Sequence, residues 1–304
     1  MTLSRGVLKK MKIFLDETEF LLYIPDKQTW KGAIIMRITI MQPPYPGKGE
    51  APDVLNWQIQ QLKNLVPGTT DLVIFPENAN CTGYTDLDHM KSLIRNEGAV
   101  FVEEMRKTAR RVNCTIMSGL ENIGPDGIMR NQLTVFPPDG EEFSPYTKVH
   151  LVEPELAKGI EPGSGATSFE YKGLRYGAAI CFDSYFPELF AEYAKQRIDL
   201  MIVVSHQRQE RPEILEFLNQ ARAFDCGCTL LRSAPAMKNP DVGGKSMVIS
   251  PEGKILADAG GVPGVLTCEI DPKARFMRAA SYGEPDRIGD YREVLLVSRA
   301  HVDK

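Results

Sequence analysis

The apolar residues of this chain follow two alternating periods, and that alternation limits the folds open to it. Leu55, Ile59, Leu62 and Val66 recur at helical spacing, which predicts an amphipathic helix at about 53–65. Short apolar runs bounded by glycine, proline or polar residues predict strands between such helices. The predicted strands are 37–41, 72–75, 115–120, 129–136, 169–171, 174–180, 200–204, 229–231, 245–249, 255–257 and 265–270. Further helices are predicted around Val102 to Val112, at 187–196 and at 212–224.

Both halves of the chain show this order of strand and helix, and each half ends in a hairpin signal. Pro138-Asp139-Gly140 is expected to turn the first hairpin, and Ser250-Pro251-Glu252-Gly253 the second. Such alternation is typical of α/β folds in which helices cover one face of each sheet. Two halves of this kind can bury their uncovered faces together, and no flexible linker separates them. The sequence therefore predicts a four-layer αββα sandwich of two mixed β-sheets flanked by helices.

Composition divides the chain into three segments. Residues 1–35 mix Lys-rich, acidic and aromatic pieces and are interpreted as an N-terminal extension, either an appended arm or an over-long start. Residues 36–270 carry the alternating pattern and form the predicted domain. The polar, arginine-rich residues 271–304 form a C-terminal tail whose apolar run at 293–297 is expected to pack at a subunit interface.

Charge and cysteine usage exclude several classes of protein. A formal net charge of -4 argues against a nucleic acid or an anionic membrane as partner, because binding either of them requires a basic face on the protein. There is no apolar stretch of about 18 residues, and the charged N-terminus lacks the apolar core of an export signal. The six cysteines lie scattered in apolar segments rather than in a dense framework, so a cytoplasmic location is predicted.

Cys181 lies at a predicted junction between a strand and a helix. The run before it is apolar, and Pro187-Glu188 suits the first turn of a helix. A side chain at such a junction is held rigidly, while nearby backbone N–H groups can receive an anionic oxygen. Taken alone, Cys181 is more simply interpreted as a core cysteine.

Two other residues follow apolar strands in the same way. Glu77 comes after the strand at 72–75, and Lys148 follows the first hairpin. A thiol with an ordinary pKa of about 8.5 is mostly protonated at neutral pH, so a nucleophilic cysteine needs a base and a nearby positive charge. Glu77 can supply the base and Lys148 the charge, which changes the interpretation of Cys181 to a nucleophile.

Other candidate motifs fail on spacing. Gly243-Gly244-Lys245-Ser246 lacks the earlier glycine of a phosphate loop and precedes a strand rather than a helix. The four histidines do not have the spacing of a zinc site, and Cys226-Gly227-Cys228 is interpreted as core strand packing. No metal and no organic cofactor is predicted.

Three motifs together resemble the nitrilase superfamily, the carbon-nitrogen hydrolases with a Glu-Lys-Cys triad. These motifs are Phe75-Pro76-Glu77 with Gly83-Tyr84, Tyr146-Thr147-Lys148-Val149-His150-Leu151, and Cys181-Phe182-Asp183 with Phe186-Pro187-Glu188. The resemblance covers about residues 36–271. It implies the αββα sandwich predicted above and a homodimer or larger homo-oligomer that pairs helices of the cysteine half.

The resemblance also implies roles for individual residues. Glu77 corresponds to the general base, Lys148 to the cation that stabilises the oxyanion, and Cys181 to the nucleophile that forms a thioester. The N–H of Phe182 completes the oxyanion hole. A second glutamate follows the lysine in many relatives; Glu155 is preferred for it over Glu153 and Glu161.

The substrate predicted on this basis is a small amide or N-carbamoyl compound. Phe182-Asp183 follows the cysteine where nitrile-cleaving relatives carry Trp-Glu, so a nitrile is the less favoured substrate. A thiol-redox protein leaves Glu77 and Lys148 unexplained, and a non-catalytic protein on this fold need not retain the triad. The predicted substrate-binding residues are Asn78, Tyr84, Phe182, Tyr185, Ser205, His206 and Gln207.

Overall fold

The computed structural model describes residues 9–15, 18–24, 34–83, 86–278 and 289–290, and most strands lie in two sheets. The strands of the first sheet are β1 (Lys9–Leu15), β2 (Thr18–Ile24), β3 (Met36–Gln42), β4 (Leu72–Phe75), β5 (Thr115–Ile123), β6 (Met129–Phe136), β7 (Phe143–Thr147) and β14 (Gly264–Ile270). Their order across the sheet is β1-β2-β14-β3-β4-β5-β6-β7. Strands β3, β4 and β5 are parallel to one another. Strand β14 is antiparallel to β3, β6 is antiparallel to β5, and β7 is antiparallel to β6, so this sheet is mixed.

The second sheet repeats this plan with six strands. They are β8 (Phe169–Tyr171), β9 (Leu174–Ile180), β10 (Leu200–Val204), β11 (Thr229–Ser233), β12 (Met247–Ile249) and β13 (Ile255–Asp258). Their order is β13-β12-β11-β10-β9-β8, with β9, β10 and β11 parallel and the others antiparallel. A short pair, β15 (Met277–Arg278) and β16 (Gly289–Asp290), lies outside both sheets.

Helices cover the outer faces of both sheets. They are α1 (Ala51–Asn64), α2 (Leu87–Arg95), α3 (Glu97–Val112), α4 (Glu153–Ala157), α5 (Pro187–Lys195) and α6 (Pro212–Cys226). Side chains alternate across β4, so Ile74 joins the core shared with the second sheet while Val73 and Phe75 join the core under α1 and α3. This arrangement confirms the predicted four-layer αββα sandwich.

Several predicted elements need correction. The segment 151–165 lies outside every helix and strand predicted above, but it contains α4, where the Glu155 carboxylate accepts a hydrogen bond from the Val152 N–H at the start of the helix. The sequence pattern did not predict α2, which Asn96 separates from α3. Cys226 ends α6 and Gly227 caps that helix in a left-handed conformation, so the pair Cys226 and Cys228 does not lie on one strand.

The N-terminal segment extends the first sheet as far as it is described. Strand β2 pairs with β1 and, in parallel, with β14. The apolar run at 293–297 lies outside the described residues, and the three-segment division stays a prediction. Among the described helices none is long and apolar enough to cross a membrane.

Gly119 lies where β5 contacts the loop after β4. Its N–H donates to the Pro76 carbonyl, and its carbonyl accepts from the Ala79 N–H. A Cβ added at Gly119 would lie 2.6 Å from the Glu77 Cα and 2.9 Å from the Val204 Cγ2. Only glycine allows this loop to rest on β5, and the loop carries Glu77.

Replacement of Gly119 by alanine is expected to destabilise the protein by about 1–3 kcal/mol. The added methyl group would clash with backbone atoms of the loop after β4, which cannot move aside without distorting that loop. Urea denaturation followed by circular dichroism measures the difference in the free energy of unfolding. Gly140→Ala, in the exposed turn between β6 and β7, is the matched control and is expected to be near neutral, since its Cβ meets only the Pro137 ring at 3.3 Å. Equal stability of the two variants would contradict this prediction.

Candidate active site

A cavity of about 910 Å³ opens where strands of both sheets end. Glu77 lies two residues beyond β4, Lys148 one residue beyond β7, and Cys181 one residue beyond β9. All three side chains line this cavity. The structure thus brings together residues that are far apart in the sequence, at the strand ends where α/β proteins commonly bind ligands.

The Lys148 ammonium group is buried between two carboxylates. The residue is 1% exposed, and its Nζ lies 2.9 Å from Oε1 of Glu77 and 2.8 Å from Oε1 of Glu155. The Asn131 amide donates to the same two oxygens, at 2.8 and 3.2 Å. Buried charges are tolerated when they are paired and hydrogen-bonded, so these four side chains form one connected network.

This network keeps Glu77 and Lys148 charged. Burial alone would raise the pKa of Glu77, but the adjacent Lys148 ammonium outweighs burial and holds that pKa below its ordinary value. Burial alone would lower the pKa of Lys148, but Glu77, Cys181 and Glu155 raise it above its ordinary value. At neutral pH the site therefore presents a carboxylate and an ammonium group side by side.

Cys181 begins a 3₁₀ turn, Cys181–Tyr185, directly after β9. Its φ of 51° is in the left-handed region, which turns the side chain out of the strand and towards the cavity. Burial and the Glu77 charge raise the pKa of the Cys181 thiol to about 11, while Lys148 and the backbone N–H groups of Gln207 and His206 oppose that rise. The thiol is therefore protonated at neutral pH and lies next to an ionised carboxylate.

The three glutamates considered for the accessory position lie in different surroundings. Glu155 is buried in the first turn of α4, where its Oε2 accepts from the Val152 N–H at 2.9 Å and its Oε1 accepts from Lys148. Glu153 is exposed, and Glu161 pairs with Arg130 at the surface. Only Glu155 of these three joins the network around Lys148.

Asp183 holds the 3₁₀ turn that begins at Cys181 against the segment that carries Lys148. Its carboxylate is fully buried. Oδ2 accepts from the Tyr146 hydroxyl at 2.7 Å and from the Ile180 N–H at 3.0 Å. Oδ1 accepts from the His150 N–H at 2.8 Å and lies 2.9 Å from the His150 Nδ1. These contacts join the residues on either side of Lys148 to the residues on either side of Cys181.

The predicted substrate-binding residues lie mostly on the cavity wall. Those that line it are Asn78, Phe182, Tyr185, His206 and Gln207. Ser205 does not line it: this fully buried side chain lies behind the wall and donates from Oγ to the Gln207 Oε1 at 2.8 Å. Tyr84 falls outside the described residues.

Burial, with Arg208 and Lys148, lowers the pKa of His206 to about 4, so its ring is neutral at neutral pH.

Glu121 on β5 is a further carboxyl group on the cavity wall, and the sequence interpretation missed it. The side chain is almost completely buried, and its Oε2 has no hydrogen-bond partner among the described residues. Burial, together with the charges of Glu155 and Glu77, raises its pKa to about 8. The available signal was the position of Glu121 directly after the predicted strand 115–120, a placement like those of Glu77 and Cys181.

The carboxylates of the cavity do not form a metal site. Within the described ranges, no group of three or more His, Cys, Asp or Glu side chains is arranged to hold a metal ion. The space between Glu77 and Glu155 is taken by the Lys148 ammonium. The positive charge of the site is thus supplied by the chain itself.

Comparison with known proteins adds a family and an architecture. The carbon-nitrogen hydrolase family profile matches residues 37–279. A deaminated glutathione amidase of Synechocystis is 30% identical over 224 residues, covering 66% of this chain and 80% of that protein. The omega-amidase NIT3 of Saccharomyces cerevisiae is 28% identical over 244 residues, covering 74% of this chain and 84% of that protein.

A solved structure shows the same arrangement of layers. The crystal structure of Saccharomyces cerevisiae Nit3, a member of the nitrilase superfamily, superposes with a TM-score of 0.61 at 23% sequence identity. The match covers 79% of this chain and 91% of that one. At this identity the likeness shows a shared fold.

Substitution of Glu121 by glutamine is expected to change how stability depends on pH. The folded-state pKa of Glu121 is raised from 4.5 to about 8, so the wild type loses stability as the pH rises from 4.5 through 8, and the neutral glutamine does not. The Tm advantage of Glu121→Gln should therefore grow across this window by several °C, at about 1.5 °C per kcal/mol for a chain of this size, and level off above pH 8.

Thermal unfolding at a series of pH values measures this effect. The exposed Glu141→Gln is the matched control and should run parallel to the wild type. A Glu121→Gln curve that also runs parallel to the wild type would show that the carboxyl group is not held neutral in the folded protein.

Proposed function

The chain belongs to the carbon-nitrogen hydrolase family, and we propose that it hydrolyses a small amide or N-carbamoyl compound through a thioester on Cys181. It is an amide-hydrolysing enzyme, as its amidase relatives indicate. The observation that carries the assignment of residues is the buried Lys148 ammonium between Glu77 and Glu155, lining the same cavity as Cys181.

In the first half of the reaction, Sγ of Cys181 attacks the amide carbonyl carbon and its proton passes to the Glu77 carboxylate. The carbonyl oxygen becomes an oxyanion, which the Lys148 ammonium and the Phe182 N–H stabilise. Phe182 stands at the start of the 3₁₀ turn, where the first N–H groups have no carbonyl partner within the turn. As the carbon–nitrogen bond breaks, Glu77 returns the proton to the nitrogen, and ammonia or an amine leaves.

In the second half, Glu77 takes a proton from a water molecule that attacks the thioester carbonyl. The new oxyanion is stabilised by the same groups. The carbon–sulfur bond then breaks, the carboxylic acid leaves, and the Cys181 thiolate recovers its proton from Glu77. Every proton transfer uses Glu77, so one carboxylate serves as base and acid in turn.

Glu155 is assigned the role of holding Lys148 in place. Its Oε2 is fixed by the Val152 N–H, which leaves Oε1 directed at the ammonium group 2.8 Å away. A second carboxylate also keeps Lys148 protonated when Glu77 takes up the thiol proton. Without it, a neutral Glu77 would leave the buried cation without a partner.

An amide is preferred to a nitrile for two reasons. The residues after Cys181 are Phe182-Asp183, as in amide-cleaving branches of the family, and the two named relatives are amidases. The cavity of about 910 Å³ suits a small molecule rather than a protein chain.

Replacement of Cys181 by alanine is expected to reduce ammonia release by at least about 10³-fold, because the covalent intermediate cannot form. The assay measures ammonia from a panel of amides, N-carbamoyl amino acids, N-carbamoyl amines and nitriles, and the panel also ranks the substrate classes. Cys114→Ala, at a buried cysteine in front of β5, is the matched control for the loss of a core thiol and should retain turnover. Retained turnover in Cys181→Ala would contradict the assignment of Cys181 as the nucleophile.

The intermediate can be observed directly. Rapid quenching of the wild type with a slow amide, followed by mass spectrometry, should show the acyl group on the peptide that contains Cys181. Finding the acyl group on another residue would contradict the thioester mechanism.

We also propose that the enzyme is a homo-oligomer that pairs through α6. Ile214, Phe217 and Phe224 lie at helical spacing on this helix and are exposed, Phe217 by 72%. Exposed apolar patches of this kind mark interaction surfaces. A second copy of the chain fits because a twofold contact places the same apolar face on both sides.

Phe217→Asp is expected to shift the protein from an oligomer to a monomer, since it places a charge in the centre of the proposed contact. Size-exclusion chromatography with light scattering measures the mass. Val100→Asp, at an exposed apolar residue of α3, is the matched control and should keep the wild-type mass. A monomeric wild type, or an unchanged mass of Phe217→Asp, would contradict the contact.

A cytoplasmic location is proposed from the thiols. The six cysteines all lie in the described part of the chain and form no disulfide bond. A nucleophilic thiol also needs protection from oxidation, which a reducing compartment provides.

A further inference from the structure

Glu121 is a buried carboxyl group of the cavity wall that the proposed mechanism does not use. The residue is 1% exposed and lines the same cavity as Glu77 and Cys181. Its Oε2 is buried without a hydrogen-bond partner, and no lysine, arginine or histidine forms an ion pair with it, among the described residues. Burying a polar group without a partner costs free energy, and a ligand that supplies the partner would explain its presence.

Strand β5 directs this carboxyl group towards the site. Side chains two residues apart lie on the same face of a strand, so Glu121 shares the face of Gly119, which contacts the Glu77 Cα. The Glu121 N–H donates to the Asn80 Oδ1 at 3.1 Å, and the Glu121 carbonyl accepts from the Asn80 Nδ2 at 2.9 Å. Asn80 belongs to the loop that carries Glu77, so the backbone of Glu121 is fixed relative to the site.

The charged groups near Glu121 carry a net negative charge. Lys148 supplies one positive charge to the network, and Glu77 and Glu155 supply two negative charges, which leaves a net charge of -1. Lys158 also lies near Glu121, but it is partly exposed, and water screens its charge. Burial and the charges of Glu155 and Glu77 raise the pKa of Glu121 to about 8. A potential that opposes a further negative charge favours a positive charge at the same place.

A protonated amine meets both requirements of this position. Its N–H groups can donate to the carboxyl oxygens of Glu121, and its charge offsets the excess negative charge around them. A ligand carboxylate adds to that excess. Resting on the function proposed above, we propose that Glu121 binds an ammonium group of the substrate and so selects amides that carry a positive charge over amides that carry a negative one.

Amides that match in length and differ in charge test this selection. γ-Aminobutyramide ends in an ammonium group, valeramide in a methyl group and succinamic acid in a carboxylate. ε-Aminocaproamide and heptanamide form a second pair with a longer reach. The charge ratio is kcat/KM of an amino amide divided by kcat/KM of the alkyl amide of the same length. In the wild type the amino amide is expected to be the better substrate of at least one pair, and succinamic acid the poorest substrate of all.

In Glu121→Gln the charge ratio is expected to fall about 10–100-fold, the contribution of one charge-assisted hydrogen bond. The loss should appear mainly in KM, since a contact kept from ground state to transition state acts as uniform binding. Glu121→Asp keeps the carboxyl group but withdraws it by one methylene group, and it should retain part of the ratio. Glu141→Gln, at an exposed glutamate, is the matched control and should keep the wild-type ratio.

Calorimetry on Cys181→Ala keeps this inference independent of catalysis. Glu121 is mostly protonated in the free protein at pH 7, so an ammonium group that pairs with it should displace nearly one proton. Titration in buffers of different ionisation enthalpy counts this proton. The Cys81 thiol does not contribute, because burial and the Glu121 charge hold its pKa well above the ordinary value. Valeramide should release no proton, and the added Glu121→Gln should abolish the release by the amino amide.

Preferred binding of the amino amide with proton release, both removed by Glu121→Gln, supports the proposal even if no amide is turned over, in which case the proposed function fails alone. No preference in either pair, a preference that Glu121→Gln leaves unchanged, or binding without proton release overturns it. A preference for succinamic acid also overturns it, because it would show that Glu121 donates its proton to an oxygen instead.

Discussion

The buried carboxylate of Asp183 is the contact on which the geometry of this site depends. It accepts hydrogen bonds from Tyr146 on β7, in the first sheet, and from Ile180 on β9, in the second. Lys148 and Cys181 each lie within two residues of one of these donors. A shift of one sheet against the other would break a buried, charge-assisted hydrogen bond, so the spacing of ammonium and thiol is fixed by the packing of the whole sandwich.

The charges of the site are arranged so that the resting thiol stays protonated. The Lys148 ammonium is paired with the carboxylates of Glu77 and Glu155, so little net positive charge is left near Cys181 to stabilise a thiolate. A protonated thiol is less reactive than a thiolate. Glu121 adds to this balance as a carboxyl group that burial keeps largely neutral near pH 7.

The sequence was sufficient for the sandwich and for the placement of Glu77, Lys148 and Cys181 just beyond strand ends, because both follow from local periodicity and from motifs; the roles of these residues stay predictions. It was insufficient for residues whose role depends on distant partners. Asn131 bridges two glutamates that lie 54 and 24 positions away, and Arg232 meets Gln207 from 25 positions away. Ser205 was placed on the cavity wall, although it supports that wall from behind. Helix α4 was missed because its start depends on a side-chain hydrogen bond that no periodicity reveals.

The left-handed backbone of Cys181 also limits which side chains this position can carry. A φ of 51° is tolerated by an unbranched side chain but is a severe outlier for one with two heavy atoms on Cβ. Serine has the same branching as cysteine and fits the turn, whereas threonine does not. In an evolving lineage, exchange of sulfur for a primary hydroxyl is therefore open at this position, while a threonine-based hydrolase would first require the turn itself to be rebuilt.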